Sequence, residues 1–300
     1  MHYVLSPEEL EAASPVFRGK LGKAFCSFCF KATRISTLNY VHDRFFDFHG
    51  ADFTRKLIEW CRVNYKVSGL DILDKLEPPF ITISNHAYGG ADGIVLIDLI
   101  GNRFPGFKVM VNEILGRIKT MEESFITVNP AVEGATSPTA RSISGVRQAL
   151  RQIHEGKPLG FFPSGAVSDL HWKDWLMPWK QSPEVKSVTA YDNLHRSTRD
   201  REWQDSVIRI IQKAGVPVVP IRFFDGNSLF YYLLGLIDWK VRLLRLPREC
   251  FNKRGKEFRI GIGKPISPEK QAGFRDLHEL KQFLRDSVYK MPLPEKYEVI

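Results

Sequence analysis

In this 300-residue chain the residues best able to do chemistry are a histidine and an aspartate on either side of two glycines, in the run Asn85-His86-Ala87-Tyr88-Gly89-Gly90-Ala91-Asp92. Gly89 and Gly90 allow backbone conformations closed to other residues, so the loop can fold back and bring Asp92 to one ring nitrogen of His86. A carboxylate there fixes the tautomer and raises the basicity of the ring. The other nitrogen is left to take a proton from a hydroxyl or amine. A plainer reading makes Asp92 the N-cap of the next helix and His86 a satisfied polar residue. Spacing alone favours that plainer reading, since such pairs arise often by chance.

The elements around the pair decide whether it can be positioned. Phe80-Ile81-Thr82-Ile83-Ser84 reads as a strand running into the glycine loop, and Ile94 to Ile100 has a helical pattern. Further β-rich runs lie at 108–111, 124–128, 159–162, 216–223 and 258–262, with helices expected over 53–63, 140–155 and 268–289. This order predicts an α/β fold with a mostly parallel central sheet covered by helices on both faces, preceded by an N-terminal amphipathic helical segment. The expected division is a single domain with a helical segment at 1–75, a catalytic core at 76–268 and a C-terminal helix and tail at 269–300. Residues 21–45 place Leu21, Phe25, Phe28, Ala32, Ile35 and Leu38 on one stripe among basic residues; such a helix either packs on the core or docks on a membrane. Residues 170–205, with Trp172, Trp175 and Trp179 among many charges, read as a long irregular excursion of the kind used for lids and binding surfaces.

A net charge of +9 and a pI near 9.3 favour polyanionic partners. No nucleic-acid-binding signature accompanies the charge, so nucleic acid is not an expected partner. Cys26, Cys29, Cys61 and Cys250 lack the second pair of a four-thiolate zinc site, and the eight histidines lack paired ligand spacing. Neither a metal nor a cofactor is expected. The N-terminus lacks the basic start and apolar run of a secretion signal, and the apolar stretch Leu229 to Ile237 is about half the ~20 residues of a spanning helix. The expected location is cytoplasmic, peripheral on the inner face of the cytoplasmic membrane.

The run Ser84-Asn85-His86-Ala-Tyr-Gly-Gly-Ala-Asp92-Gly resembles the first motif of the lysophospholipid and glycerophosphate acyltransferase superfamily. The family usually puts four residues between its histidine and aspartate; here there are five, with Gly89-Gly90 inside. That longer gap is similar to the hemolysin-like branch, which includes amino-acid N-acyltransferases of glycine- and ornithine-lipid synthesis. Phe125 to Pro130 (FITVNP), Phe162 to Ser168 (FPSGAVS) and Val216 to Phe223 (VPVVPIRF) follow in the family's order, and the likeness spans roughly residues 35–270.

The resemblance implies acyl transfer from an acyl thioester, carried by acyl-carrier protein or coenzyme A, to a small polar amino or hydroxyl acceptor or a lyso-lipid. His86 would be the base and Asp92 its orienting partner, with no covalent intermediate. Consistently, no G-x-S-x-G nucleophile elbow occurs. Asn85, Gly89, Gly90, Asn129, Pro163, Ser164, Gly165 and Ser168 fall in the substrate-binding motifs. Phosphate-acceptor members carry Arg and Glu where this chain has Ser164, Val167 and an uncharged TVNP segment. The departure argues against a phosphate acceptor and suits a compound held by neutral hydrogen bonds.

After residue 227, Phe230, Tyr231 and Tyr232 lie beside Arg242 and Arg245, a mixture suited to an anionic membrane surface or an acidic carrier protein. Two alternatives remain alongside the leading reading: a lysophospholipid O-acyltransferase, and a catalytically silent membrane-binding protein of the same fold.

Overall fold

The computed structural model describes residues 2–128 and 140–300. Its strands are β1 (Asn64–Ser68), β2 (Ile81–Ser84), β3 (Lys108–Asn112), β4 (Phe125–Val128), β5 (Leu159–Phe161), β6 (Asp169–Leu170), β7 (Thr198–Arg199), β8 (Val218–Phe223), β9 (Glu257–Ile262) and β10 (Glu298–Val299). All but β6 and β7 form one sheet in the order β10-β1-β9-β8-β2-β5-β3-β4. From β8 to β4 every neighbour is parallel, while β8 to β9 and β1 to β10 are antiparallel. The fold is therefore α/β with a mostly parallel sheet. β2 and β8 are buried along their whole length, which is why both read as continuous apolar runs.

Helices cover both faces. On one, the Gly50–Cys61 and Gly90–Leu96 helices bring Phe53, Leu57, Val95 and Leu96 against Phe80, Val219 and Ile221. On the other, the Asp205–Ala214 and Leu277–Tyr289 helices set Ile208, Ile211, Leu280 and Leu284 against Ile81, Ile83 and Phe161. The expected helix over 268–289 is two, Pro268–Ala272 and Leu277–Tyr289, the second started by the Asp276 side chain accepting from the Glu279 N–H.

Residues 21–45 also divide, into the Gly19–Thr33 and Ile35–Arg44 helices, because Arg34 takes a left-handed conformation (φ 67°). In the first of these Gly22, Cys26 and Phe30 turn inward, four residues apart. Leu21, Phe25 and Phe28 of the apolar stripe stay exposed, Leu21 at 88% and Phe28 at 66%. The 170–205 excursion is more ordered than a lid: β6 and β7 pair antiparallel within it, and Trp203 at its end is buried.

Candidate active site

His86 leaves the C-terminal end of β2, the edge of a parallel sheet where α/β proteins place their ligands. Asn85 fixes the exit. Its amide donates to the Phe223 carbonyl (3.0 Å) and accepts from the Phe223 N–H (2.8 Å), extending the β2–β8 pairing by one residue. With both ends of its amide occupied and its side chain buried, Asn85 ties the end of β2 to β8.

Gly89 then adopts φ 82°, and the chain turns into the Gly90–Leu96 helix, whose third residue is Asp92. The Asp92 carboxylate is fully buried. Oδ2 accepts from the backbone N–H of Tyr88 (2.9 Å) and of Gly89 (3.2 Å) and lies 3.1 Å from His86 Nδ1, while Oδ1 accepts from the Gly93 N–H (2.8 Å). Gly89, not Asp92, is the N-cap of this helix; Asp92 is its third residue, and the carboxylate that closes the first turn on the Gly89 N–H also meets the histidine. Next to a carboxylate, Nδ1 carries the proton and Nε2 has the lone pair. Burial pulls the imidazole's pKa down, but the charge and hydrogen bond of Asp92, with the charge of Asp200, outweigh it and leave the pKa above its ordinary 6.5. The ring lies against Phe162, centroids 4.4 Å apart.

The second turn, Phe162 to Ser168, follows β5. Gly165 (φ 65°) closes it by donating its N–H to the Phe162 carbonyl (2.9 Å), and a Cβ at Gly165 would strike the Gln204 side-chain amide. Pro163 accepts from the Gln204 N–H through its carbonyl (2.9 Å). The two serines do not present free hydroxyls. Ser164 Oγ donates to the Ala166 carbonyl (2.7 Å) and Ser168 Oγ to Asp200 Oδ1 (2.6 Å). Ser168 also donates its N–H to the His86 carbonyl (2.9 Å). Asn129 lies outside the described residues.

Sequence reasoning missed Asp200. Its Oδ1 accepts from the His86 N–H (3.0 Å) and its Oδ2 from Trp203 Nε1 (3.1 Å), while its own N–H donates to the Tyr289 hydroxyl (2.8 Å). In Arg199-Asp200-Arg201-Glu202 it looks like one charge in a solvated run; the buried Trp203 is the only signal that the run folds inward.

Two apolar cavities open at the histidine. One, about 200 Å³, is lined by Val41, Phe53, Met110, Phe125, Phe161 and Phe162; the other, about 450 Å³, by Ile58, Val95, Leu243, Leu246, Phe251 and Phe258. His86, Gly89, Gly90 and Gly165 line both. A Cβ at Gly89 would lie 2.9 Å from Leu246 Cδ2, so the glycine keeps the larger cavity open there. Among the described residues no group of three or more His, Cys, Asp and Glu side chains is placed to hold a metal.

Most of the expected membrane or carrier contacts face inward instead. Tyr231 and Tyr232 are fully buried, and Tyr232 donates its hydroxyl to the Ala87 carbonyl (3.3 Å). Arg242 is 3% exposed and donates to the carbonyls of Val167 (3.3 Å) and Ser168 (3.2 Å), while Arg245 pairs with Glu249 (2.9 Å). Of the five, Phe230 faces outward, because the Leu229–Ile237 helix turns it with Leu233 and Ile237 away from the core.

The chain matches the family described as Acyltransferase over residues 11–293. Two similar proteins are lyso-glycine lipid O-acyltransferases, one from Bacteroides thetaiotaomicron and one from Phocaeicola vulgatus. Each is 25% identical over 249 residues, covering 81% of this chain and 80% and 78% of their own lengths. A solved structure, the 1-acyl-sn-glycerophosphate acyltransferase of Thermotoga maritima, aligns at 16% identity and a TM-score of 0.48, covering 89% of this chain and 86% of that one.

Proposed function

The chain belongs to the acyltransferase family, and from that premise we propose that it moves a fatty acyl group from an acyl thioester to the hydroxyl of a lyso-lipid, with His86 as general base and Asp92 holding it. The observation that carries this reading is the meeting of two apolar cavities at one histidine. A donor chain needs one cavity, and a small polar acceptor would need no second. An acceptor that already bears a hydrocarbon chain fills the other, which favours a lyso-lipid over a small amino or hydroxyl compound. The relatives named for lyso-glycine lipid O-acylation point to the same class.

In the reaction, Nε2 takes the acceptor's hydroxyl proton as its oxygen attacks the thioester carbonyl. The tetrahedral adduct collapses, the C–S bond breaks, and the proton held on the ring passes to the departing thiolate. Thiolate is a good leaving group, so holding the reactants in line supplies much of the acceleration. The donor is an acyl thioester of carrier protein or coenzyme A, and no cofactor takes part.

No helix among the described residues is long and apolar enough to cross a membrane. The larger cavity is instead rimmed by partly exposed apolar residues, Ile114, Trp239 and Leu243, with Ile237 (80% exposed) and Leu244 beside it. Together with Leu21, Phe25 and Phe28 among the lysines of the Gly19–Thr33 helix, they suit docking on the anionic inner face of the cytoplasmic membrane, from which a lyso-lipid enters sideways.

Lipid mass spectrometry of cells expressing the protein or its His86→Ala variant tests the proposal. A diacylated lipid made only by the intact protein is expected. Identical lipid profiles in a host that makes the acceptor, with the protein folded, would overturn it.

A further inference from the structure

Acyl transfer through a tetrahedral adduct puts a negative charge on the former carbonyl oxygen, and a hydrogen-bond donor aimed at that oxygen gives the step its largest electrostatic aid. The turn after β5 packs on the histidine ring through Phe162, yet much of its donor capacity is spent. The hydroxyls of Ser164 and Ser168 bond Ala166 and Asp200, and the N–H groups of Gly165 and Ser168 bond the carbonyls of Phe162 and His86.

Among the described residues, the polar side chains lining the smaller cavity are those of His86 itself, His42, Asn112 and Gln204. His42 is buried and neutral, and its Nδ1 donates to the His2 carbonyl (2.8 Å), so its Nε2 carries no hydrogen to give. Asn112 is exposed at the end of β3, and its side chain accepts from the Ile114 N–H (3.1 Å). Of the three besides the base, Gln204 alone bonds to the turn that packs on His86.

Gln204 is held by that turn at two points. Its backbone N–H donates to the Pro163 carbonyl (2.9 Å), and its side-chain Nε2 donates to the Ser164 carbonyl (3.3 Å). A carbonyl only accepts, so the NH2 end of the amide lies there, over Gly165. Gly165 shares the wall of both cavities with His86 and lacks the Cβ that would displace this amide. The amide nitrogen has two hydrogens. One is held by Ser164, and the other has no acceptor among the described residues. Gln204 also stands at the N-cap of the Asp205–Ala214 helix, where a side chain commonly bonds its own helix, and makes no such bond.

We propose that Gln204 is a catalytic residue whose remaining amide N–H donates to the thioester carbonyl oxygen as that oxygen becomes negative. The inference rests on the acyl-transfer reading above and deepens it. As the acceptor oxygen bonds to the carbonyl carbon, its proton goes to His86 Nε2 and the carbonyl π pair moves onto oxygen, where Gln204 meets it. That pair then re-forms the C=O bond as the C–S bond breaks. Sulfur leaves with the electrons of the broken bond and takes the proton from the imidazolium. The amide exchanges no proton, and because the turn holds it in advance it acts without rearrangement. It lies four residues after Asp200, the carboxylate that accepts from the His86 N–H, so one segment both steadies the base and supplies the donor.

The test compares Gln204→Met with the unaltered protein, using hexadecanoyl donors on coenzyme A and on acyl-carrier protein and a hydroxyacyl glycine as acceptor. Met keeps the length of the side chain and removes its N–H. Gln204 is partly exposed and its side chain caps nothing, so the fold should hold; thermal unfolding checks this, and Gln204→Leu serves as a second variant. kcat should fall about a hundredfold, the effect of losing one oxyanion donor, with both KM values within about twofold and the acid limb of the pH profile unmoved. The specific readout is a dithioester donor, in which sulfur replaces the carbonyl oxygen and accepts hydrogen bonds poorly. This exchange should slow the intact protein at least about tenfold more than it slows the variant.

An equal penalty in both proteins marks a merely structural role and overturns the proposal, as does a kcat that Gln204→Met changes by less than about threefold. No turnover by the intact protein with either donor would overturn the acyl-transfer reading and this proposal with it. Turnover that is indifferent to Gln204 overturns this proposal alone.

Discussion

The two glycine turns at the end of the sheet look alike in sequence and do different work. Both leave a buried parallel strand, both contain a glycine with positive φ, and both line the two cavities. The turn after β2 puts His86 in the wall of both cavities with its Nδ1 against Asp92, and Nε2 is the atom proposed to react. The turn after β5 spends its hydroxyls inward, Ser164 on Ala166 and Ser168 on Asp200, and supports the first turn through the His86 carbonyl. The difference teaches that a polar residue in a motif marks a position in the site, while its hydrogen bonds decide whether it meets substrate.

Substitutions can break that comparison. His86→Ala should cost the most, about a thousandfold or more in kcat/KM, as expected for loss of a positioned base. Asp92→Asn comes next, with a loss of roughly a hundredfold and a change in pH profile. A histidine base works only when neutral, so with His86 in the proposed role its raised pKa predicts that activity in the intact protein climbs with pH through a value above 6.5. Removing the carboxylate removes what raises that pKa, so the acid limb of kcat/KM should move to lower pH; a limb that stays put or moves up would show that His86 is not the titrating base.

Ser168→Ala should lower kcat by about tenfold without moving the limb, since the hydroxyl steadies Asp200 while the Ser168 N–H still holds His86. Ser164→Ala should change kcat by no more than about twofold and cost roughly 1 kcal/mol of stability in thermal unfolding, the worth of one local hydrogen bond. If Ser164→Ala proved as damaging as Ser168→Ala, the second turn would be touching substrate and the contrast would fall.

What the sequence disclosed follows the same physics. β2 and β8 are legible because burial on both faces demands unbroken apolar runs. β1 was missed because only Tyr65 and Val67 turn inward from Asn64–Ser68, too few to show a period. The stripe of the Gly19–Thr33 helix was visible, but hydrophobicity alone does not say which side meets the core; the smaller line of Gly22, Cys26 and Phe30 does. His86 and Asp92 stood out because local backbone chemistry joins them across six residues. Asp200 is 114 positions from His86 and reaches it only through tertiary packing, which no local pattern reports. Arg242, read as a surface cation from its neighbours, is buried for the same reason.

The shared wall of the two cavities has a kinetic consequence. Chambers that both open on one imidazole can be occupied together, and the enzyme has no need to store the acyl group on itself between substrates. The two thiols lining the larger cavity, Cys61 and Cys250, are poor candidates for such storage, because burial pushes their pKa values up to about 11 and about 12 and keeps them protonated. Initial rates measured over a grid of both substrates should therefore give intersecting reciprocal lines, the mark of a ternary complex, in place of the parallel lines of a ping-pong exchange.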